Sequence, residues 1–405
     1  MYKRWYLTLL SICVLAASCL AADTPPTISQ APSIGKLYWV GGNQLSRANL
    51  DGSHFEVLVR DLEEPDGLVL DLLDNKVYWT NMARGPNGSL QRADLDGNAV
   101  VGDSSHLVQP GSFDTGKEIE LDPLTNKLYW ADRDGKKVMR ANNDGSKVEI
   151  VVQRFRDRDG SIIMLENPVG IALDSHQRMI YFTDRFMARI LRAPLDAEIN
   201  NIRDDVETLV QGDKAIDRPI DIDLDVIRGK MYWTDRGSHR VLRANLDGSA
   251  VETLIDNDVL EVKDPIGIAL DVATQTFVWT DMTTHKIYRS DFDGKNTQVL
   301  LQGEQLLAGI SYGPLGITAA TIEPQQGTAN GGQRVAVIGD NFVPGKTSVH
   351  LNNKAAINVQ VIDNNLLTFI TPLGKAGSAT LTVATPAGRV TLSNAFSYIS
   401  INANE

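Results

Sequence analysis

An aromatic pair closes a strand-like run six times in this chain: Tyr38-Trp39, Tyr78-Trp79, Tyr129-Trp130, Tyr181-Phe182, Tyr232-Trp233 and, in altered form, Val278-Trp279. The second member stands at 39, 79, 130, 182, 233 and 279, so the unit recurs every 40 to 52 residues. That length holds four short strands and their turns, which predicts a ring or array of small sheets and not one continuous core. Each unit repeats the same parts: Pro168–Asp174 is followed by Met179–Asp184 and 190–196, and Pro219–Asp225 by 231–235 and 241–248. Short apolar and β-branched runs between turn residues predict antiparallel strands.

Asp-Gly joins the third and fourth strands in five of the six units, at Asp51-Gly52, Asp96-Gly97, Asp144-Gly145, Asp247-Gly248 and Asp293-Gly294. Asp-Gly supplies the positive φ of a tight hairpin turn. The fourth unit has Asp196-Ala197 and an insertion, which predicts a longer, irregular turn. The two ends of the array are incomplete. Tyr38-Trp39 has no Pro-x-Gly strand before it, and the strand around Gly309-Ile-Ser-Tyr-Gly313 has no aromatic pair after it. A closed ring resolves both, with the N-terminal strands completing a sheet whose inner strand comes from residues near 310. Closure also removes exposed sheet edges.

These motifs resemble the class B repeat of the low-density-lipoprotein receptor. Tyr232-Trp-Thr-Asp235 and Trp279-Thr-Asp281 match its Tyr-Trp-Thr-Asp signature, and Arg-Ala-Asn-Leu-Asp-Gly at 47–52 and 243–248 and Pro-Ile-Gly-Ile-Ala-Leu-Asp at 265–271 match its other parts. The resemblance spans about residues 34–314 and implies a six-bladed β-propeller. Gly41 and Asn81 replace the signature Asp, Phe182 replaces Trp and Val278 replaces Tyr, which reads as drift within one fold.

Residues 1–22 read as an export signal, with Lys3 and Arg4 ahead of an apolar run too short to span a membrane. Leu-Ala-Ala-Ser-Cys at 15–19 resembles a bacterial lipobox with Cys19 as the lipidated residue, although its Leu sits one place early; ordinary cleavage near Ala21 or Ala22 fits as well. Lipidation would add a membrane anchor. Cys13 and Cys19 are the two cysteines, so either cleavage leaves no disulfide in the folded part, which favours a bacterial envelope or a large self-sufficient core. Loss of Lys3 and Arg4 moves the formal charge from −12 to −14, which argues against nucleic-acid binding. Residues 23–33 read as a tether, 34–316 as the propeller and 317–405 as a second domain. In that domain Ile322-Glu-Pro324, Gly331-Gly332, Gly339-Asp-Asn-Phe342, 367–372, 379–383 and Phe396-Ser-Tyr398 resemble an IPT/TIG domain, an immunoglobulin-like β-sandwich. The predicted class is therefore all-β, a six-bladed β-propeller with a C-terminal immunoglobulin-like β-sandwich.

Most of the repeated chemistry reads as architecture. A buried Trp removes about 150–250 Å² from water, worth about 4–6 kcal/mol at most, so the aromatic pairs read as packing between blades. The Asp that follows them (Asp132, Asp184, Asp235, Asp281) reads as an acceptor for turn N–H groups. None of the six histidines has a metal-ligand spacing, and no nucleophile elbow or phosphate loop is present. No cofactor, metal or catalytic residue is assigned.

One register points to binding. Three places past the repeat aromatic stand Met82, Arg133, Arg185, Arg236 and Met282, with Gly42 in the first unit. Equivalent blades would set them on one face at the channel mouth. Arg154, Phe155 and Phe186 are placed there too, as are the residues from Asp204 to Arg218. The plain expectation is that each Arg pairs with a neighbouring Asp. The sharper one is a positive, partly apolar patch that captures a protein or acidic ligand. The leading reading is thus an exported, envelope-associated binding or scaffold protein without enzymatic activity. Two alternatives stay open. Glu118, Glu120 and Asp221 or Asp223 interrupt inner-strand apolar runs, as a metal-dependent lactonase- or lyase-like channel enzyme would require. Phe155 and Phe186 would serve as platforms in a glycan-binding protein.

Overall fold

The computed structural model describes residues 35–400 apart from 83–86, 99–105, 198–200, 213–215, 258–259, 304 and 315. The expected export signal, Cys19 and the tether lie outside the described residues. Among the described residues every regular element is a strand, and no helix is long and apolar enough to cross a membrane.

Six four-stranded antiparallel sheets form the propeller. Five are built from consecutive strands; one example is Pro168–Asp174, Met179–Asp184, Arg189–Pro194 and Glu207–Gln211, from inner to outer. The sixth is the closing sheet, ordered Ile310–Pro314, Gly35–Gly41, Gln44–Asn49, Glu56–Val59. Its register sets Trp39 opposite Ile310, as Trp79 stands opposite Leu68 and Trp279 opposite Ile268. The ring is therefore closed by opposite parts of the chain, as the two orphan motifs require.

The cement between blades follows the repeat. Trp79, Trp130, Trp233 and Trp279 are fully buried in clusters that each mix strands of two neighbouring blades. The Thr of the signature bridges blades by hydrogen bonding: Thr183 Oγ1 accepts from Gly170 N at 2.8 Å and donates to Ile220 O of the next blade at 2.7 Å. Third-strand arginines form a second ring, with Arg47, Arg140 and Arg243 donating to Leu95, Leu195 and Phe292 carbonyls of the next blade at 2.9, 3.0 and 2.6 Å.

The Asp-Gly turns are looser than a two-residue hairpin. Gln44–Asn49 and Glu56–Val59 are separated by six residues, with positive φ at Gly52 and again at His54. Glycine is required for a second reason. A Cβ at Gly52 would stand 2.4 Å from Leu300 O, and one at Gly248 would stand 2.2 Å from Leu209 O, each on the outer strand of the adjoining blade. The fourth unit lacks this Gly. Its longer loop instead sends Arg203, only 2% exposed, to the corresponding carbonyl, Val151 O, at 3.1 Å. The insertion therefore replaces a close backbone approach with a buried guanidinium.

Past residue 316 two further sheets pack into a sandwich: Thr318–Glu323, Arg334–Asp340, Leu366–Ile370 and Ile357–Val361 in one, and Gln326–Thr328, Gly388–Ile399, Gly377–Thr385, Ser348–Leu351 and Lys354–Ala355 in the other. Val335, Val337, Leu367, Phe369, Leu381 and Val383 alternate inward to make its core. The sandwich sits on one face of the propeller. A cavity of about 390 Å³ lies between the turns at Leu72, Leu124 and Ser175, which join inner to second strands, and Phe342, Asn364 and Pro386 of the sandwich. The opposite face carries the turns that join second to third strands, and with them the arginine register.

Candidate functional site

The residues of the register occupy one position in every repeat. Met82 N, Arg133 N, Arg185 N, Arg236 N and Met282 N each donate to a carbonyl of the incoming connector, at Glu64, Thr115, Asn167, Arg218 and Asp264 respectively. The buried Asp of the signature ties connector and turn together. Asp184 accepts from Glu166 N at 2.7 Å, Asn167 N at 3.0 Å and Met187 N at 3.2 Å. Asp235 does the same for Asp217 N, Arg218 N and Ser238 N.

The throat inside this rim has two halves. On one side Val169, Ile220 and Ile266 form a small apolar cluster against which Met282 packs. On the other, Lys117 Nζ lies 2.5 Å from Asp66 Oδ2 and 3.4 Å from Met82 Sδ.

The three arginines are not alike. Arg133 donates to Asp134 at 2.9 and 2.8 Å and holds that carboxyl down to about 2. Arg236 donates to Asp264 at 2.8 and 3.2 Å. The expectation of an Asp partner holds for these two. Among the described residues Arg185 has no ion-pair partner, and its Nε is buried without an acceptor. Burial lowers its pKa, and so, in turn, do the guanidiniums of Arg236, Arg133 and Arg218. Its guanidinium lies 4.9 Å from the centre of the Phe186 ring, which is 60% exposed. Arg218, at the end of the stretch from Asp204 that the sequence places on this face, belongs to this group.

Two expected members are elsewhere. Phe155 is fully buried among Tyr129, Val151 and Leu165, so it is not a surface platform. Its hairpin, Arg154–Arg156 with Ile162–Met164, pairs with residue 203 of the next blade's outer loop. This pairing turns Phe155 into the core and carries exposed Arg154 to the rim of that outer loop, away from the Arg185 group. Phe186 alone of the two proposed aromatic platforms is exposed on the face.

The inner-strand carboxylates meet inside the ring. Glu118, Glu120, Asp221 and Asp223 line a cavity of about 220 Å³ that Asn365 of the sandwich also reaches. Asp221 is engaged with Ile222 N and Ile268 N, both at 2.8 Å, and Asp223 with Leu224 N at 2.7 Å and Leu270 N at 2.8 Å. They act as cross-blade acceptors. Burial first, then Asp221 and Asp66, raises the Glu118 pKa well above the carboxylate range, and burial raises Asp223 to about 6. Among the described residues no group of three or more His, Cys, Asp or Glu is arranged to hold a metal ion.

Comparison with known proteins supports these two folds. Residues 229–272 match the low-density lipoprotein receptor repeat class B, and residues 318–398 match the IPT/TIG domain. The chain is similar to a low-density lipoprotein receptor-related protein 1 of Pyricularia oryzae, 36% identical over 200 residues that cover 46% of this chain and 62% of that one. It is also similar to a 3-hydroxyacyl-CoA dehydrogenase-like protein LAM1 of Cochliobolus heterostrophus, 29% identical over 204 residues, 47% of this chain and 41% of that one. The chain thus spans less than two thirds of either relative. A solved structure titled as a nidogen/laminin complex contains a chain matched at 19% identity with a TM-score of 0.56, covering 69% of this chain and 98% of that one, which is a likeness of fold. These relatives lend no support to the expected bacterial origin or to bacterial lipidation at Cys19.

Proposed function

We propose that this chain is an exported, non-enzymatic binding protein that holds an acidic segment of a partner protein on the face of its propeller away from the sandwich. The observation that carries the reading is Arg185: a half-buried guanidinium without a carboxylate partner among the described residues, set among Arg133, Arg236 and Arg218. Charge left uncompensated in a partly desolvated site is costly, and a ligand carboxylate would relieve that cost with a bidentate hydrogen bond. The apolar half of the throat and exposed Phe186 would take a neighbouring apolar side chain. The sandwich, seated against the opposite face, leaves this one for a partner. The name of the Pyricularia relative, a receptor-related protein, agrees with binding and not catalysis.

The test is a titration with short peptides that each carry one Asp or Glu beside an apolar residue, read by fluorescence anisotropy at several salt concentrations. Arg185→Glu should weaken the binding peptides by about tenfold to a hundredfold, in line with loss of a charge-assisted contact. Arg185→Lys should retain part of the affinity. Affinity unchanged in Arg185→Glu would reject the reading. In this reading residues 1–22 direct export, and the mass of the mature N-terminus identifies the cleavage.

A further inference from the structure

The connector that enters each inner strand carries an apolar side chain three places before the Pro or Gly that opens the strand. Leu62, Phe113, Leu165, Ile216 and Val262 hold this position, and each is 8% exposed or less. Each packs in the cluster of the next repeat aromatic: Leu62 with Trp79, Phe113 with Trp130, Leu165 with Phe182, Ile216 with Trp233 and Val262 with Trp279. They are plugs between blades. At the closing junction, where Ile310 stands opposite Trp39, no described residue holds this position.

A cavity of about 480 Å³ opens beside Trp39 at that junction. Its walls are Trp39, Phe55, Ile287, Leu301 and Leu306. Phe55 and Leu306 are 54% and 55% exposed, and the Phe55 ring lies 5.8 Å from Trp39. The sixth connector reaches the ring by another route. Gly41 stands where other blades have Asp or Asn, and its missing Cβ admits Leu306 O, which would lie 2.2 Å from such an atom. The charged side chain in the lining is Arg60, exposed and, among the described residues, without a carboxylate partner; His285 and Gln302 also line the cavity. No described lining residue is acidic.

We infer that the closing junction is a binding site for a small amphipathic carboxylate, with its apolar body against Trp39, Phe55 and Leu306 and its carboxylate on the Arg60 guanidinium. The volume lies within the range of small-ligand pockets, about 300–1,000 Å³, and the make-up is that of such pockets: apolar walls with few polar groups. A bidentate guanidinium–carboxylate pair supplies orientation. This site opens on the same face as the arginine register, at turns of the first and sixth blades, but shares no lining residue with the Arg185 group and does not depend on it.

The full chain is titrated with 4-phenylbutyrate and with the neutral 4-phenylbutanol, followed by saturation-transfer NMR and calorimetry. The expected result is saturable binding of both, tighter for the carboxylate. Arg60→Gln should weaken the carboxylate about tenfold and leave the alcohol unchanged. Val57→Trp, which fills the cavity from a half-buried position on its wall, should abolish both, with unfolding curves confirming that the variant folds. Arg185→Glu should change neither. Absence of saturable binding by the wild type, or carboxylate affinity unaltered in Arg60→Gln or in folded Val57→Trp, would overturn the assignment.

Discussion

Replacing Asp184 by Ala removes the acceptor of three backbone N–H groups, from Glu166, Asn167 and Met187, at 2.7, 3.0 and 3.2 Å. The carboxyl is fully buried, so its loss leaves donors that water reaches only in part. A hydrogen bond to a charged group contributes about 1.5–3 kcal/mol, and the three are not additive. Exposed Glu166 and half-buried Met187 recover some hydration, which puts the cost at about 3–5 kcal/mol. For a domain of this size 1 kcal/mol shifts Tm by about 2–4 °C, so Tm should fall by about 10 °C. Asp184→Asn keeps one acceptor oxygen and should cost about 1–2 kcal/mol; Asn81 already stands at the matching place in the second blade. Urea unfolding with Tm measured alongside decides the matter. A loss below about 1 kcal/mol for Asp184→Ala would refute the view that this carboxylate fastens connector to turn.

Other outcomes follow from the same contacts. Arg203→Met removes donors to Val151 O and Pro194 O, both at 3.1 Å, from a buried site, and should destabilise by about 2–4 kcal/mol in urea unfolding. Gly248→Ala meets both a φ of 84° and Leu209 O at 2.2 Å, so it should cost more than the roughly 1 kcal/mol of a strained backbone alone. Asp340, held by Thr318 Oγ1 at 2.7 Å and Asn365 Nδ2 at 2.8 Å, has its pKa raised to about 7 by burial and then by Asp271. Between its unfolded pKa of about 4 and pH 7 the folded chain keeps a proton that the unfolded chain has lost. Its contribution should therefore fall as pH rises across that window, and Asp340→Asn should flatten this slope in unfolding curves.

The ring was legible in the sequence because a period multiplies weak signals. Tyr-Trp, Pro-x-Gly and Asp-Gly recur at matching offsets, and the two incomplete units fit together only by closure. The register of Arg133, Arg185 and Arg236 was legible for the same reason. What escaped was whatever the repeat does not share. Phe155 stands in the charged run Arg-Phe-Arg-Asp-Arg, which reads as a solvated loop; pairing with residue 203 turns its ring into the core. The division of labour among the arginines depends on Asp134 and Asp264, whose approach is set by loop geometry. The seat of the sandwich was hidden because Asn341, Phe342 and Asn365 also serve the sandwich's own turns and core: Asn365 donates to Asp340 at 2.8 Å while it reaches the channel.

The central claim is that the propeller meets its partner through the Arg185 guanidinium, which has no ion-pair partner among the described residues. The most direct measurement is NMR of the arginine Nε–H groups during titration with an acidic peptide selected by anisotropy. The account predicts that the Arg185 Nε–H signal shifts and saturates with the affinity found by anisotropy, and that Arg185→Glu abolishes the response. Saturating peptide that leaves this signal unmoved, while residues on another face respond, would contradict it.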